Sequence, residues 1–485
     1  MQKPRSLLWI LLNLALGIAG GVTLGWGPLA GSTPLIAVLG VVGALLGGSI
    51  GCWSERENSH RWVLWGHGLI LLGVALAALI PLYRIGSFPM PGETRLGNFE
   101  RLWQAMAYAY PYFEAKDVAW DEVYARYRPR VARADSDEAY WRVIGTMLTE
   151  LNDGHTGLTS PSPRAGRRYF AICRDVNRLI VLDEVGATAR AAGLQRGDIV
   201  LAVDDLAVEE ALTALPPVLR DGSTPQQRRA QAASNVLSTT QDTLKVTVTG
   251  PAGERTVTLV WPDAPPTPEP EEAEVWQPLV TGRRLPSGVG LIRVPTFQKT
   301  PGHDLVAEFD AALDGLLEAP ALVLDLRGNG GGTTFISDRI AGRFLSERFT
   351  YGREYFRARL PQRGWRPRLD YHIRPRGTTY TGSLILLIDV DNFSTAENFI
   401  VALVDSGRAM TVGRQTGGGS GNPVSFNLTG SGRVRFSTGD FRRLDGTPIE
   451  GVGIAPDIPV TWTVEAFREG RDPDLAAAET LLSKD

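Results

Sequence analysis

The sequence predicts a multidomain chain: three amino-terminal transmembrane helices, a small helical domain, a small β-rich domain and an α/β domain. Three observations predict this order. First, no charged residue stands between Arg5 and Glu55, and apolar runs cover roughly residues 7–24, 34–50 and 62–83. Each run is long enough to cross a bilayer as a helix. Second, residues 168–262 hold four short runs, RLIVLDEV, DIVLAVDD, TLKVTVTG and VTLVW, which read as strands. Third, beyond residue 285 strand-like and helix-like segments alternate, the pattern of an α/β domain with parallel sheet. The expected divisions are a membrane domain at 1–83, a tether at 84–96, the helical domain at 97–165 and the β-rich domain at 166–263. A Pro- and Glu-rich linker at 264–284, the α/β domain at 285–470 and a tail at 471–485 follow.

Positive charge sets the expected orientation. Lys3 and Arg5 precede the first apolar run, Arg56 and Arg61 separate the second from the third, and none lies between the first and second. The amino terminus is therefore expected in the cytoplasm. Three crossings then place the rest of an integral inner-membrane protein on the extracytoplasmic, periplasmic side, with membrane lipid as one partner. Cys52 and Cys173 fall on opposite sides and should not pair. His67 lies near the start of the third run and reads as structural. The net charge of −3 divides into +2 over residues 1–83 and −5 beyond. No basic stripe appears, so nucleic acid is not an expected partner. Two cysteines without Cys-x-x-Cys exclude a disulfide framework and a cysteine zinc site, and the five histidines form no His-x-x-x-His. No metal and no cofactor is expected.

In the helical region, NFERLWQAMAYAYPYF carries apolar and aromatic residues at helical spacing, and Ser136 opens a further helix through WRVIGTMLTEL. That helix ends in LNDGHTG, where Gly154 is a natural stop. His155 then stands in a polar, glycine-flanked loop, as an ordinary surface histidine or as a base. Further on, AAGLQRGDIVLAVDD (residues 191–205) resembles the PDZ signature. In such domains an extended peptide adds to a sheet edge. The peptide-facing strand is expected at residues 169–173, with Tyr169 and Phe170 as substrate contacts. A structural β-domain without a ligand is the alternative.

Two turns at strand ends carry the chemistry. The segment 384–407 reads as a buried strand, a sharp turn and a helix, with Ser394 at the turn. Ser-x-x-Glu, ending at Glu397, is a capping box. The same hydroxyl, lifted off the sheet and facing the positive end of a helix, also suits a nucleophile. The two readings stand together. The run LDLRGNGGG (residues 324–332) is either a tight loop or an oxyanion hole, since bare backbone can approach a carbonyl and aim N–H groups at it. A phosphate loop is excluded, because the Gly-Lys-Ser/Thr ending is missing.

Together, LDLRGNGGG, the Ser-x-x-Glu turn, the upstream DGHT, the PDZ-like segment and a downstream EGVGIAPDI resemble the carboxyl-terminal processing and tricorn-core serine proteases, in the same order over roughly residues 97–465. The resemblance implies a ClpP/crotonase-like α/β catalytic domain with Ser394 as nucleophile. It implies an oxyanion hole from Gly330 or Gly331 with Thr395, and Gly332 beside them on the substrate's path. The processing branch of the family takes its base from a lysine. Here Gly419 occupies that place, and no lysine lies between Lys299 and Lys484. The tricorn-like branch uses a histidine and a glutamate, which His155 and Glu450 match. In that branch a serine beside the histidine relays the glutamate. Gly154 stands there in this chain, so Glu450 must reach His155 directly or through another group. His303 and His372 are fallback bases. The implied function is a membrane-anchored serine endopeptidase acting on peptides or proteins on the extracytoplasmic side. A catalytically inactive, membrane-tethered peptide-binding scaffold is the alternative from a different class, and an ester hydrolase a third.

Overall fold

The computed structural model describes residues 93–159, 168–261, 277–357 and 368–483. The chain divides into two compact units, Met1–Pro91 and Gly92–Asp485, and the second holds everything described below. The expected fold class and location need a correction at the amino-terminal end. Among the described residues no helix is long and apolar enough to cross a membrane. The longest of them, Arg95–Ala109, has 15 residues; at the α-helical rise it reaches roughly 22 Å, short of a hydrocarbon core of about 30 Å. The runs at 7–24, 34–50 and 62–83 carried the expected spans, the lipid partner and the integral inner-membrane location with a periplasmic catalytic part. They lie outside the described residues.

Three helices open the second unit: α1 (Arg95–Ala109), α2 (Trp120–Ala132) and α3 (Asp137–Thr149). The side chains of Thr94 and Ser136 cap α1 and α3 by accepting amide hydrogens from Gly97 and Ala139. Phe99, Leu102 and Met106 on α1, and Tyr140, Ile144 and Leu148 on α3, form buried stripes at helical spacing. The aromatic residues here are core. The carboxyl end of α3 delivers the chain into residues 151–156.

The β-rich region is an antiparallel sheet of β1 (Ala171–Val176), β2 (Leu179–Val185), β3 (Ile199–Val203), β4 (Thr243–Gly250) and β5 (Gly253–Val260), in that spatial order. The polar stretch between β3 and β4 contains a helix, α4 (Pro225–Asn235), capped by Thr224. Its Ala232 and Ala233 enter the core of the sheet.

The α/β region is a six-stranded sheet: β6 (Thr281–Arg284), β7 (Gly290–Arg293), β8 (Ala321–Asp325), β9 (Ser383–Ile388), β10 (Met410–Gly413) and β11 (Ile458–Pro459). All neighbouring pairs are parallel except β6 with β7. Alternate residues face two separate cores. Leu322, Leu324, Leu386 and Ile388 enter one, and Ala321, Val323, Ile385 and Leu387 the other. Burial on both faces explains why these strands read as continuous apolar runs. Helices α5 (Leu305–Asp314), α6 (Thr334–Ala341) and α7 (Thr395–Asp405) follow β7, β8 and β9. Because β8 and β9 are adjacent, parallel and in register from Ala321↔Ser383 to Asp325↔Leu387, the turns after them must emerge side by side at one sheet edge. That edge is where α/β sheets bind ligands. Arg327 pins the first turn by pairing with Asp325, Asp472 and the fully buried Asp474.

Candidate active site

Ser394 occupies the tip of the turn between β9 and α7 with φ +60° and ψ −125°. A non-glycine residue adopts this left-handed geometry only when its surroundings hold it there. Those surroundings are specific. Asn392 is fully buried, donates to the Leu326 carbonyl at 2.5 Å, and accepts the Asp389 amide at 2.8 Å. The Phe393 amide donates to the Asn329 carbonyl at 3.3 Å, which ties the two turns together. The buried Glu397 accepts the Ser394 amide at 3.2 Å, as the expected capping box requires. It also accepts the Thr416 hydroxyl at 2.5 Å and the amides of Gly418 and Gly419 at 2.9 and 2.8 Å. Burial pushes the Glu397 carboxyl up to about 7, and these four donors pull the other way.

The Ser394 hydroxyl lies 2.9 Å from Nε2 of His155 across 239 positions of sequence. His155 arrives through a loop shaped by Asp153. That carboxylate accepts the His155 amide at 2.9 Å and the Thr156 hydroxyl at 2.7 Å, an Asx-turn written into the sequence Asp-Gly-His-Thr. The imidazole is 3 % exposed. Its ring stacks on Phe393, centroids 4.5 Å apart. Burial lowers its pKa to about 4, against the pull of Asp153, so the ring is a neutral proton acceptor at physiological pH. His303 pairs with Glu308 and His372 with Thr350, and neither is hydrogen-bonded to Ser394.

Glu450 comes close to His155 without a hydrogen bond to it. The donor and acceptor atoms of Asp153, His155 and Glu450 lie within 4.8 Å of one another. The Glu450 carboxylate instead accepts Nζ of Lys116 at 2.7 Å and the Ser420 amide at 2.8 Å. Burial, then Asp153, push this carboxyl up to about 8, while Lys116 and Ser420 hold it down. The cation in contact with Glu450 is thus Lys116. Its partner is 334 positions away, and nothing near it in sequence marks it out. Neither the turn-forming role of Asp153 nor its closeness to Glu450 was anticipated from the sequence.

Steric detail accounts for the two departures from the family's pattern. A Cβ on Gly419 would stand 1.8 Å from the Phe393 ring. A lysine cannot occupy that position while Phe393 stacks on His155. A Cβ on Gly154 would meet the same ring at 2.8 Å, which leaves no room for a relaying serine. Gly419→Lys is accordingly expected to lower stability by about 1–3 kcal/mol through overpacking, read as a lower urea midpoint, and to leave peptide hydrolysis weaker than in the parent chain.

The glycine run approaches the same point. Gly331 has φ +94°, and a Cβ there would lie 2.9 Å from the Cβ of Ser394 and 2.9 Å from the Thr395 amide nitrogen. The Gly331 amide is engaged by Oδ1 of Asn329 at 2.9 Å. The amides of Gly330 and Thr395 make no hydrogen bond among the described residues, so they are the donors open to a developing oxyanion. The Thr395 hydroxyl donates to the Gly332 carbonyl at 2.9 Å and fixes the two turns against each other. Tyr169 and Phe170 are elsewhere: they line a groove of about 920 Å³ on the β-rich region, with Ile172, Val185, Arg190 and Leu194. Tyr169 is 43 % exposed, whereas Phe170 is buried.

Comparison with known proteins agrees with the fold and these motifs. Residues 288–460 match peptidase family S41, and residues 91–149 match the tricorn protease C1 domain. Over these segments the chain resembles the carboxyl-terminal processing and tricorn-core serine peptidases. Tricorn protease homolog 2 of Streptomyces coelicolor is 23% identical over 392 residues, 75% of this chain and 30% of that protein. The carboxy-terminal-processing protease of Bartonella bacilliformis is 28% identical over 201 residues, 40% of this chain and 44% of that protein. The chain spans less than half the length of the curated relatives it matches. Among solved structures, mature CPAF superposes with a TM-score of 0.67 at 16% identity, covering 81% of this chain and 98% of that one. At that identity the likeness speaks for the fold alone.

Proposed function

We propose that this chain hydrolyses peptide bonds of peptides or proteins through an acyl-enzyme on Ser394. The observation that carries the proposal is the 2.9 Å contact between the Ser394 hydroxyl and Nε2 of a buried, neutral His155, at a strained strand-to-helix turn. A serine hydroxyl is a weak nucleophile and needs an adjacent base. His155 takes the proton as Ser394 attacks the scissile carbonyl. The amides of Gly330 and Thr395 receive the oxyanion, assisted by the amino-terminal end of α7. The imidazolium then protonates the leaving amine, and a water molecule activated by the same imidazole releases the acyl group. Glu450 and Asp153 supply the negative charge that stabilises the imidazolium.

The β-rich region suits presentation of an extended chain. β1 is an edge strand of its sheet, the arrangement that accepts an added peptide strand, and the groove holding Tyr169 and Phe170 runs beside it. A fluorophosphonate probe is expected to label the intact chain and to leave Ser394→Ala unlabelled. Labelling that persists in Ser394→Ala would remove the proposed nucleophile.

A further inference from the structure

Lys116 sits just after α1, in the tight turn of residues 112–117, where its amide donates to the Tyr112 carbonyl at 3.0 Å. Its Nζ donates to Oε1 of Glu450 at 2.7 Å and to the Asn152 carbonyl at 2.6 Å. It thereby ties together two segments: the loop that carries His155 and the loop that carries Glu450. The ion pair is shielded, with side-chain exposures of 11% for Lys116 and 3% for Glu450. The Tyr112 ring covers the ammonium at 5.8 Å.

We infer that Lys116 is a positioning residue for the proposed reaction, acting through Glu450: it fixes the orientation and the negative charge of the carboxylate that steadies His155. The inference rests on the Ser394–His155–Glu450 reading given above. Lys116 is not a Ser/Lys base in a new place, since its ammonium is committed to Glu450 and Asn152 while Ser394 is paired with His155.

The electrostatic need is plain from the neighbours. Asp153 and Glu450 are two acids in one water-excluded site, and like charges in such a site favour retention of a proton. The groups that face Glu450 are Lys116, Asp153 and the two buried tyrosines Tyr110 and Tyr112. His155 lies beside it. Behind them, Arg435 faces Asp153 and His155, Asp440 faces Tyr112, and Asp221 faces Lys116 and Asp153. Of the two cations in this group, Lys116 is the one in contact with Glu450. With Lys116 present the Glu450 carboxyl is pushed up to about 8 by burial. Removing the ammonium disfavours the charged form further, so the pKa moves upward. An activity that needs the carboxylate must then rise at a higher pH.

The test is the pH dependence of kcat/KM on a fluorogenic peptide, measured with the intact chain, Lys116→Met, Lys116→Gln and Lys116→Arg, each alone and with Glu450→Gln. The parent chain is expected to gain activity as pH rises through about 8. Lys116→Met and Lys116→Gln are expected to shift that limb up by about one unit or more, which is about tenfold less activity at pH 7. Lys116→Arg, which keeps the charge, is expected to restore the limb. In the Glu450→Gln background the Lys116 changes are expected to cost less than about twofold, because the pair acts as a unit. Should Lys116→Met fail to fold, Lys116→Gln carries the same test, since it removes the charge while keeping a polar donor. An unmoved limb in Lys116→Gln, or an equal loss with and without Glu450, overturns the inference. Fluorophosphonate labelling that depends on Ser394 together with an unmoved limb overturns this inference alone. Labelling that does not depend on Ser394 overturns the reading beneath it.

Discussion

His155→Ala is expected to lower kcat/KM for a peptide by roughly 10⁴- to 10⁶-fold, the range seen when a serine hydrolase loses its base. The size follows from the lack of a substitute. His303 and His372 are paired with Glu308 and Thr350, and the ammonium of Lys116 is held by Glu450. The remaining activity should come from the amides of the glycine run and from binding. The depressed pKa of His155 adds a second readout. A lowered imidazole pKa means that the proton leaves more readily, so the neutral base persists down to about pH 4, against about 6.5 for an unperturbed histidine. In Glu450→Gln, which lacks the limb near 8, the residual activity is expected to fall off only as pH drops toward 4. A limb near 6.5 in that variant, or hydrolysis surviving in His155→Ala, would show that another group takes the proton.

Glu397→Ala is expected to lower the free energy of unfolding by about 3–5 kcal/mol, read from a urea melt. One carboxylate accepts hydrogen bonds from Ser394, Thr416, Gly418 and Gly419, and it is fully buried. Alanine leaves the Thr416 hydroxyl and the amides of Gly418 and Gly419 without this partner and out of reach of solvent, while the Ser394 amide keeps the Gly419 carbonyl at 3.1 Å. An unmet buried donor costs about 1–3 kcal/mol, and a charged acceptor makes the loss larger. Glu397→Gln should fall between alanine and the parent, because its carbonyl oxygen accepts while its amide nitrogen faces donors. A change under about 1 kcal/mol in Glu397→Ala would mean that the segment 416–419 is held in place by other contacts.

Much of the α/β region was legible because its strands are buried on both faces and bounded by glycine-rich turns. Leu384 to Ile388 and Ala321 to Asp325 stand out as apolar runs for that reason, and their parallel pairing follows from the helices between them. At the candidate site, Ser394 and His155 were each conspicuous locally, one at a strand-to-helix turn and one between glycines. Their 2.9 Å approach could only be required chemically, since 239 residues separate them. Lys116 left no trace in the sequence. A lone lysine after an amphipathic helix reads as solvated, and only the fold shows it turned inward. The engagement of the Gly331 amide by Asn329 was likewise hidden, because it depends on one side-chain rotamer within a run of glycines. The expected membrane spans rested on hydropathy at residues 7–83 alone, and the described helices supply none.

The Lys116–Glu450 pair has a consequence for biosynthesis. Its two halves are made 334 residues apart, with the imidazole and the alcohol between them. A ribosome must therefore deliver almost the entire unit before the relay can close. Fragments released early, by stalling or by cleavage, would lack the Glu450 half of the pair and leave the Lys116 ammonium without its carboxylate.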